Sequence, residues 1–421
     1  MMLPSPESIP HTQHAPGDQV ESNLKGFKYF DRLLPLVEHL HKVGTARDKA
    51  GNRQLFYDQY VLLLLLYFFN PVLASLRGLQ QAGSLHKVQR LLGVRRASLG
   101  SLSEASHVFD PNALRCIVQE LAERALPLSP SPERSALVGL TAVDGTLLRA
   151  LPRMLWALWQ DEQHRAAKLH LHFEVLKGIP CDATLTAGAC CEAQQLRSML
   201  QAGRLYAIDR GYADFQLFHD ILEAQSSFVA RVKENTAFTI AQERPLSESA
   251  RAAGVLRDLV LSKLGTSHHK DVLQRPVRLV VVEVFKRDGS RSELWLVTDR
   301  LDLEAELVAL AYRYRWSIEL FFRWFKCVLG CRHLLCESAS GIAIQCYVAL
   351  IASLLIVLWT GLHPTKRTWE MLQFYLLGWA SLEELEQHLA RRRLTGITGS
   401  QVHAVLHAPS SLNAASLCLF F

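Results

Sequence analysis

The fifteen residues from Tyr312 to Lys326 read Tyr-Arg-Tyr-Arg-Trp-Ser-Ile-Glu-Leu-Phe-Phe-Arg-Trp-Phe-Lys and concentrate charge, phenol and apolar surface in a helical rhythm. At about 100° per residue from Tyr312, Arg315 falls near 300°, Glu319 near 340°, Lys326 near 320° and Arg323 near 20°. One face therefore carries a carboxylate among cations and a phenol. Ile318, Phe321, Phe322 and Phe325 gather on the other face and need a core to cover them. Such a stripe suits an anionic partner, although the same charges can also form a plain surface ion-pair ladder.

Two further carboxylates stand where chemistry is often placed. Val138-Gly-Leu-Thr-Ala-Val-Asp144-Gly-Thr is an apolar, β-prone run ending in an Asp and a turn-forming Gly. Leu205-Tyr-Ala-Ile-Asp209-Arg-Gly-Tyr repeats the arrangement. Each run predicts an Asp at the carboxyl end of a buried strand, the edge where open α/β sheets bind ligands. An Asp-Gly after a strand is also an ordinary turn. With the helix-borne Glu319 there are three hard oxygen donors, a set suited to Mg²⁺ or Mn²⁺ rather than zinc.

These residues make the chain resemble the bacterial insertion-sequence DDE transposases of the IS-four type. Tyr312, Arg315, Glu319 and Lys326 meet that family's Tyr-x2-Arg-x3-Glu-x6-Lys signature, Asp144 lies in its first aspartate motif, and Asp209-Arg210-Gly211-Tyr212 in its second. The likeness runs from about Ala136 to Ile356. It implies an α/β fold: an RNase H-like mixed sheet flanked by helices, with a helical N-terminal region and a β-rich insertion before the Glu-bearing helix. It also implies metal-dependent DNA cleavage at element ends and strand transfer into target DNA. Asp144 would bridge two Mg²⁺ ions, for which Mn²⁺ can substitute, with Asp209 on one and Glu319 on the other. Tyr312, Arg315 and Lys326, with Arg323 and Arg210 beside them, would contact DNA. Double-stranded DNA, both transposon ends and target, is the implied partner, with a homodimer in the DNA complex. An RNase H-like nuclease without strand transfer and a non-catalytic DNA-binding regulator are the alternatives.

The elements needed to position these residues divide the chain as follows. A disordered, polar tail is expected over 1–26, before a helical, DNA-end-binding region over 27–132, whose basic cluster offers Arg90, Arg95 and Arg96 as phosphate contacts or as a solvated face. The core is expected over 133–235 and 301–362, with the β-rich insertion over 236–300 and C-terminal helices and tail over 363–421. Those last helices would join two subunits or pack within one. More than a hundred residues separate Asp209 from Glu319, too many for a short connection. Within the insertion, Pro276–Phe285 and Glu293–Thr298 read as a hairpin. Trp295 is the candidate there to stack on a DNA base, with an aromatic core residue as the other reading.

The remaining features are accessory. A net charge of +6 suits DNA without requiring it, and 49% hydrophobic residues predict a substantial core. Nine cysteines without a framework and a polar N-terminus indicate a reduced, cytoplasmic protein, nucleoid-associated when bound to DNA. Tyr60–Phe69 is too short to span a bilayer, and Ile342–Trp359 contains Gln345 and Ser353, so both are read as buried helices and no membrane partner is expected. Lys168–Leu176 alternates as a strand with His170 and His172 on one side, read as a polar face rather than zinc ligands. Asp182 is placed in a turn as a lesser rival for the metal. Cys327, Cys331, His333 and Cys336 are set aside as a zinc site because their spacing is too tight.

Overall fold

The computed structural model describes residues 30–43, 52–128, 132–150, 153–161, 164–265, 275–285 and 288–397. The N-terminal and C-terminal tails, the middle of the Pro-rich joint and the tip of the insertion hairpin lie outside these. Helices α1 (Phe30–Glu38), α2 (Tyr57–Phe69), α3 (Leu76–Gly83), α4 (His86–Leu92), α5 (Leu99–Val108) and α6 (Asn112–Glu123) come first, followed by the single turn α7 (Pro132–Ser135). Ser75 and Ser98 cap α3 and α5, each hydroxyl accepting a first-turn N–H.

Five strands follow, with two helices between them: β1 (Leu140–Arg149), β2 (Ala166–Glu174), β3 (Ile179–Ala187), α8 (Glu192–Ser198), β4 (Leu205–Ile208), α9 (Phe215–Glu223) and β5 (Ser227–Val232). β4 is buried at every position, as a strand covered on both faces must be. β1, β4 and β5 run parallel, whereas β2 pairs antiparallel with β1 and β3 antiparallel with β2. The resulting order β3-β2-β1-β4-β5 makes a mixed sheet flanked by helices, as the sequence reading expects.

The insertion does not stand apart from this sheet. Strands β6 (Phe238–Glu243), β7 (Val255–Leu264), β8 (Val277–Phe285) and β9 (Arg291–Thr298), with the short helix α10 (Glu248–Ala252), return so that β9 pairs antiparallel with β5. One nine-stranded sheet results, in the order β3-β2-β1-β4-β5-β9-β8-β7-β6. Arg278 of β8 is almost fully buried, pairs with Asp258 of β7 and also donates to the Leu303 carbonyl. That carbonyl precedes the next helix, so the sheet extension fixes where the helix starts.

The chain then enters α11 (Ala305–Tyr314), α12 (Trp316–Arg323) and a π turn, Trp324–Val328, before the long α13 (Ala339–Thr360) and the pair α14 (Lys366–Leu376) and α15 (Leu382–Ile397). α13 is apolar on all sides, long and apolar enough to cross a membrane by composition, and 94% of that apolar window is buried inside the protein. It is therefore a core helix in this fold. It packs against α2, α6 and β3, so the N-terminal helices and one sheet face share a continuous core that includes Leu63, Leu121, Leu171, Phe325 and Leu350. A smaller core lies on the opposite face, where α8 and α9 cover Val143, Tyr206, Ile208 and Phe228.

Candidate active site

The sheet register brings the two aspartates together. β1 and β4 pair in parallel with Ala142 opposite Ala207, so Asp144 and Asp209, each two residues further on, lie side by side. Asp209 directly follows β4, as its sequence predicts. Asp144 differs from expectation: it sits in mid-strand, because β1 continues past the end of β4 as one arm of a hairpin with β2. Asp144 is paired across that hairpin with Leu171, whose side chain belongs to the larger core. By strand alternation it faces the side on which α12 lies against β1, and α12 carries Glu319.

Arg315 stands at the centre of the cluster. Its Nη1 lies 3.7 Å from Asp144 Oδ2 and 3.4 Å from Glu319 Oε1. Its guanidinium also covers the Tyr312 ring at 5.6 Å, and its buried Nε has no partner among the described residues. Tyr312 donates its hydroxyl to Asp209 Oδ1 at 2.7 Å, so the group expected to bond to DNA is here engaged by an aspartate. Lys326 Nζ donates to Thr146 Oγ1 at 2.9 Å, two residues beyond Asp144. The signature helix is less regular than a single α-helix. At the joint of α11 and α12, Arg315 N–H bonds only three residues back, to Tyr312 O, at 3.1 Å. Past Arg323 the chain widens into the π turn, where Leu329 N–H reaches back to Trp324 O at 3.0 Å. Such bulges recur at functional sites because they re-aim side chains without ending a helix.

The two aspartates have opposite electrostatics. Burial, then the neighbouring Glu319 carboxylate, pushes Asp144 up to about 7 despite Arg315 and the Gly145 N–H. Burial alone would raise Asp209 as well, but the Tyr312 hydroxyl, the Arg210 N–H, Arg315 and Arg231 outweigh it and hold that carboxyl below its usual range. A buried carboxylate whose proton affinity is raised by a close neighbour, as that of Asp144 is, is relieved by a bound cation. Among the described residues no three His, Cys, Asp or Glu side chains are grouped to hold one metal together. Asp144, Asp209 and Glu319 offer oxygen donors alone, a chemistry that suits Mg²⁺ or Mn²⁺ rather than zinc.

The other candidates are dispersed. Arg210 and Arg323 are exposed, as are Arg90 in α4 and Arg95 and Arg96 in the loop between α4 and α5. Trp295 is half-buried on the smaller core's face of the sheet, away from the face of Asp144 and Glu319, edge-to-face with Phe238 at 5.6 Å and donating to Glu293 Oε2. Its position opposite Val232 on β5 dictates that face. Asp182 lies within β3 rather than in a turn, 1% exposed and held bidentately by Arg115 at 2.6 and 2.7 Å. Cys331 is buried against Cys346, while Cys327 and His333 are exposed, so those soft donors do not converge. Sequence reading passed over Thr146, and also Arg231 on β5, whose charge faces Asp209 and Tyr312. The alternation of β5 gave a usable signal: Arg231 follows the buried Ala230 and points to the opposite face.

A sequence model of the transposase DDE domain matches residues 139–355, just over half of the chain, and the match spans Asp144, Asp209 and the whole of Tyr312–Lys326. The chain belongs to this family. Its transposase DDE domain opens at β1 and closes within α13, and dependence on a divalent metal goes with the domain. Relatives agree with it. A protein of Geobacillus stearothermophilus named a probable transposase for insertion sequence element IS5377 is 25% identical over 52% of this chain and 55% of its own length. A Sinorhizobium fredii protein, named as transposase y4zB, is 27% identical over 46% and 53%. The chain thus spans about half the length of these two relatives. A Synechocystis protein named as a transposase for insertion sequence element IS4SA is 22% identical over 66% of this chain and 77% of its own length. Among solved structures, the piggyBac transposase synaptic complex with hairpin DNA aligns with 90% of this chain and 85% of that one at 12% identity and a TM-score of 0.41.

Proposed function

We propose that this protein is a DNA transposase that cleaves at the ends of an insertion sequence and joins the freed 3′ ends to target DNA. The observation that carries this reading is the meeting of two strand-borne aspartates and the helix-borne Glu319 around Arg315, within the transposase DDE domain. Asp144, Asp209 and Glu319 would hold a pair of Mg²⁺ or Mn²⁺ ions, which supply activation of water or a 3′ hydroxyl and stabilisation of the leaving oxygen. Asp144, beside Asp209 by strand register and interacting with Glu319, would be the carboxylate shared between the two ions.

The remaining residues bind and orient. Arg315 has loose contacts with Asp144 and Glu319 and an Nε without a partner among the described residues, so its fork can turn to a phosphate. Lys326, tethered by one hydroxyl, is a point charge for the next phosphate. Tyr312 holds the Asp209 carboxylate in place and keeps it ionised. Arg210 and Arg323 extend the cationic surface, and the working form is a homodimer holding two ends. The test is a strand-transfer assay with precut ends, Mg²⁺ and supercoiled target. Joined product that needs Mg²⁺ and all three carboxylates is expected. Hydrolysis without joining would replace the reading with a nuclease, and DNA binding without either reaction would replace it with a regulator.

A further inference from the structure

A fourth carboxylate approaches the same loops from the other face of the sheet. Glu192 begins α8, on the side opposite α12. Gly145 follows Asp144, and Gly211 lies in the turn after Asp209, and neither has a side chain to keep Glu192 away. Glu192 Oε1 lies 3.1 Å from where a Cβ on Gly145 would stand, and Oε2 lies 3.7 Å from the equivalent point on Gly211. The carboxylate therefore rests against the backbone of both aspartate-bearing segments. Lys168 of β2 lays its stem on Gly145 and pairs with Glu192 Oε1 at 3.2 Å.

An independent observation points to the same place. Tyr212 is 2% exposed, yet its buried hydroxyl has no hydrogen-bond partner among the described residues. The charges around that hydroxyl are Glu192, then Asp144, Arg315 and Asp209. A buried phenol without a partner is unfavourable, and a fold keeps one where some other group meets it. Mg²⁺ and Mn²⁺ retain several waters when bound, and those waters need acceptors and donors behind the carboxylates.

We propose that Glu192 and Tyr212 form an outer tier of the metal site, in which the Glu192 carboxylate and the Tyr212 hydroxyl bond to the water molecules that complete the coordination of ions held by Asp144 and Asp209. Both are positioning residues, and Lys168 is a counterweight that limits the negative charge Glu192 presents. The proposal rests on the metal reading above. It predicts a split in sign that a packing role would not produce.

The test measures Mn²⁺ affinity of the full chain, without DNA, from the free-ion electron paramagnetic resonance signal, with melting temperature recorded for each variant. Glu192→Gln is expected to raise the dissociation constant by about tenfold and Tyr212→Phe by at least about threefold, as outer-tier groups do. Lys168→Met is expected to lower it, because the unpaired Glu192 charge then acts on the ion. If Glu192→Gln and Lys168→Met shift affinity in the same direction along with melting temperature, the pair merely anchors α8, and the proposal is wrong. Wild-type affinity in Glu192→Gln and Tyr212→Phe, with binding abolished in Asp144→Asn, overturns the outer tier and leaves the metal site standing. Wild-type affinity in Asp144→Asn overturns both.

Discussion

Asp144 and Asp209 share one side-chain chemistry and differ in what surrounds them: Asp144 is burdened by burial and by Glu319, whereas Asp209 is served by a phenol, a backbone N–H and two guanidinium groups. The first gains more from a cation than the second, which matches a bridging role for Asp144. Asp144→Asn, Asp209→Asn and Glu319→Gln should each reduce cleavage of end DNA by roughly a thousandfold or more, since each removes several kcal/mol of charge stabilisation at the transition state. Binding of end DNA by gel shift should remain. Cutting at near wild-type rate by any one of them would strike that residue from the site. Lys326→Ala should weaken end binding and reduce the slope of log affinity against log salt by about one, as expected for one lost phosphate contact. A slope equal to wild type would assign Lys326 to holding Thr146 alone.

At the scale of elements, the β1–β2–β3 ribbon shows how far strand alternation carries a sequence reading. His170 and His172 share one side of β2, as alternation requires; His170 bonds to Thr186 Oγ1 at 2.9 Å, while both ring nitrogens of His172 are buried without partners among the described residues and its ring meets Tyr206 edge-on. Burial depresses His172 from 6.5 to about 4, with Arg204, Arg115 and His170 adding to it and Asp182 opposing. Folding thus favours the neutral ring, so the stability it contributes is complete above pH 6.5 and is lost as pH falls through about 4. His172→Phe should remove up to roughly 3 kcal/mol of this acid loss, read as a lower pH midpoint of unfolding by circular dichroism. An unchanged midpoint would mean the ring is already charged or solvated. The entry to β1 is equally constrained: Gly139 has φ +78° and a Cβ there would lie 2.7 Å from Gly203 O. Gly139→Ala should cost about 2 kcal/mol or more in urea unfolding, combining left-handed backbone strain with a backbone clash. A loss below about 0.5 kcal/mol would show that the two loops part easily.

For the whole molecule, the nine-stranded sheet and α13 decide how the distant motifs meet. The strands inserted between Asp209 and Glu319 extend the sheet edge, and Arg278 ties them to the start of α11, so the insertion carries the chain back to present Tyr312, Arg315 and Glu319 over β1 and β4. α13 supplies the apolar centre against which the N-terminal helices and β3 pack. Leu350→Ala, at a fully buried position on that helix, should reduce stability by about 3 kcal/mol and reduce expression before it alters chemistry. Per-molecule cleavage that falls while the melting temperature stays unchanged would place α13 in the site rather than beneath it.

Much of this protein was legible locally. Period 3.6 in Tyr312–Lys326 and apolar runs ending near Asp144 and Asp209 are properties of short segments, set by backbone geometry, so the carboxylates, their elements and the buried status of α13 follow from composition and spacing. What tertiary structure decided is which side chains meet. Arg115 claims Asp182 from a helix 67 residues away, Tyr312 turns to Asp209 across 103, β5 pairing sends Trp295 to the far face, and two glycines admit Glu192 behind the aspartates. None of these pairings leaves a periodic mark, because each depends on strand register and helix placement, which are settled by the packing of the whole sheet and its two cores rather than by any local stretch of chain.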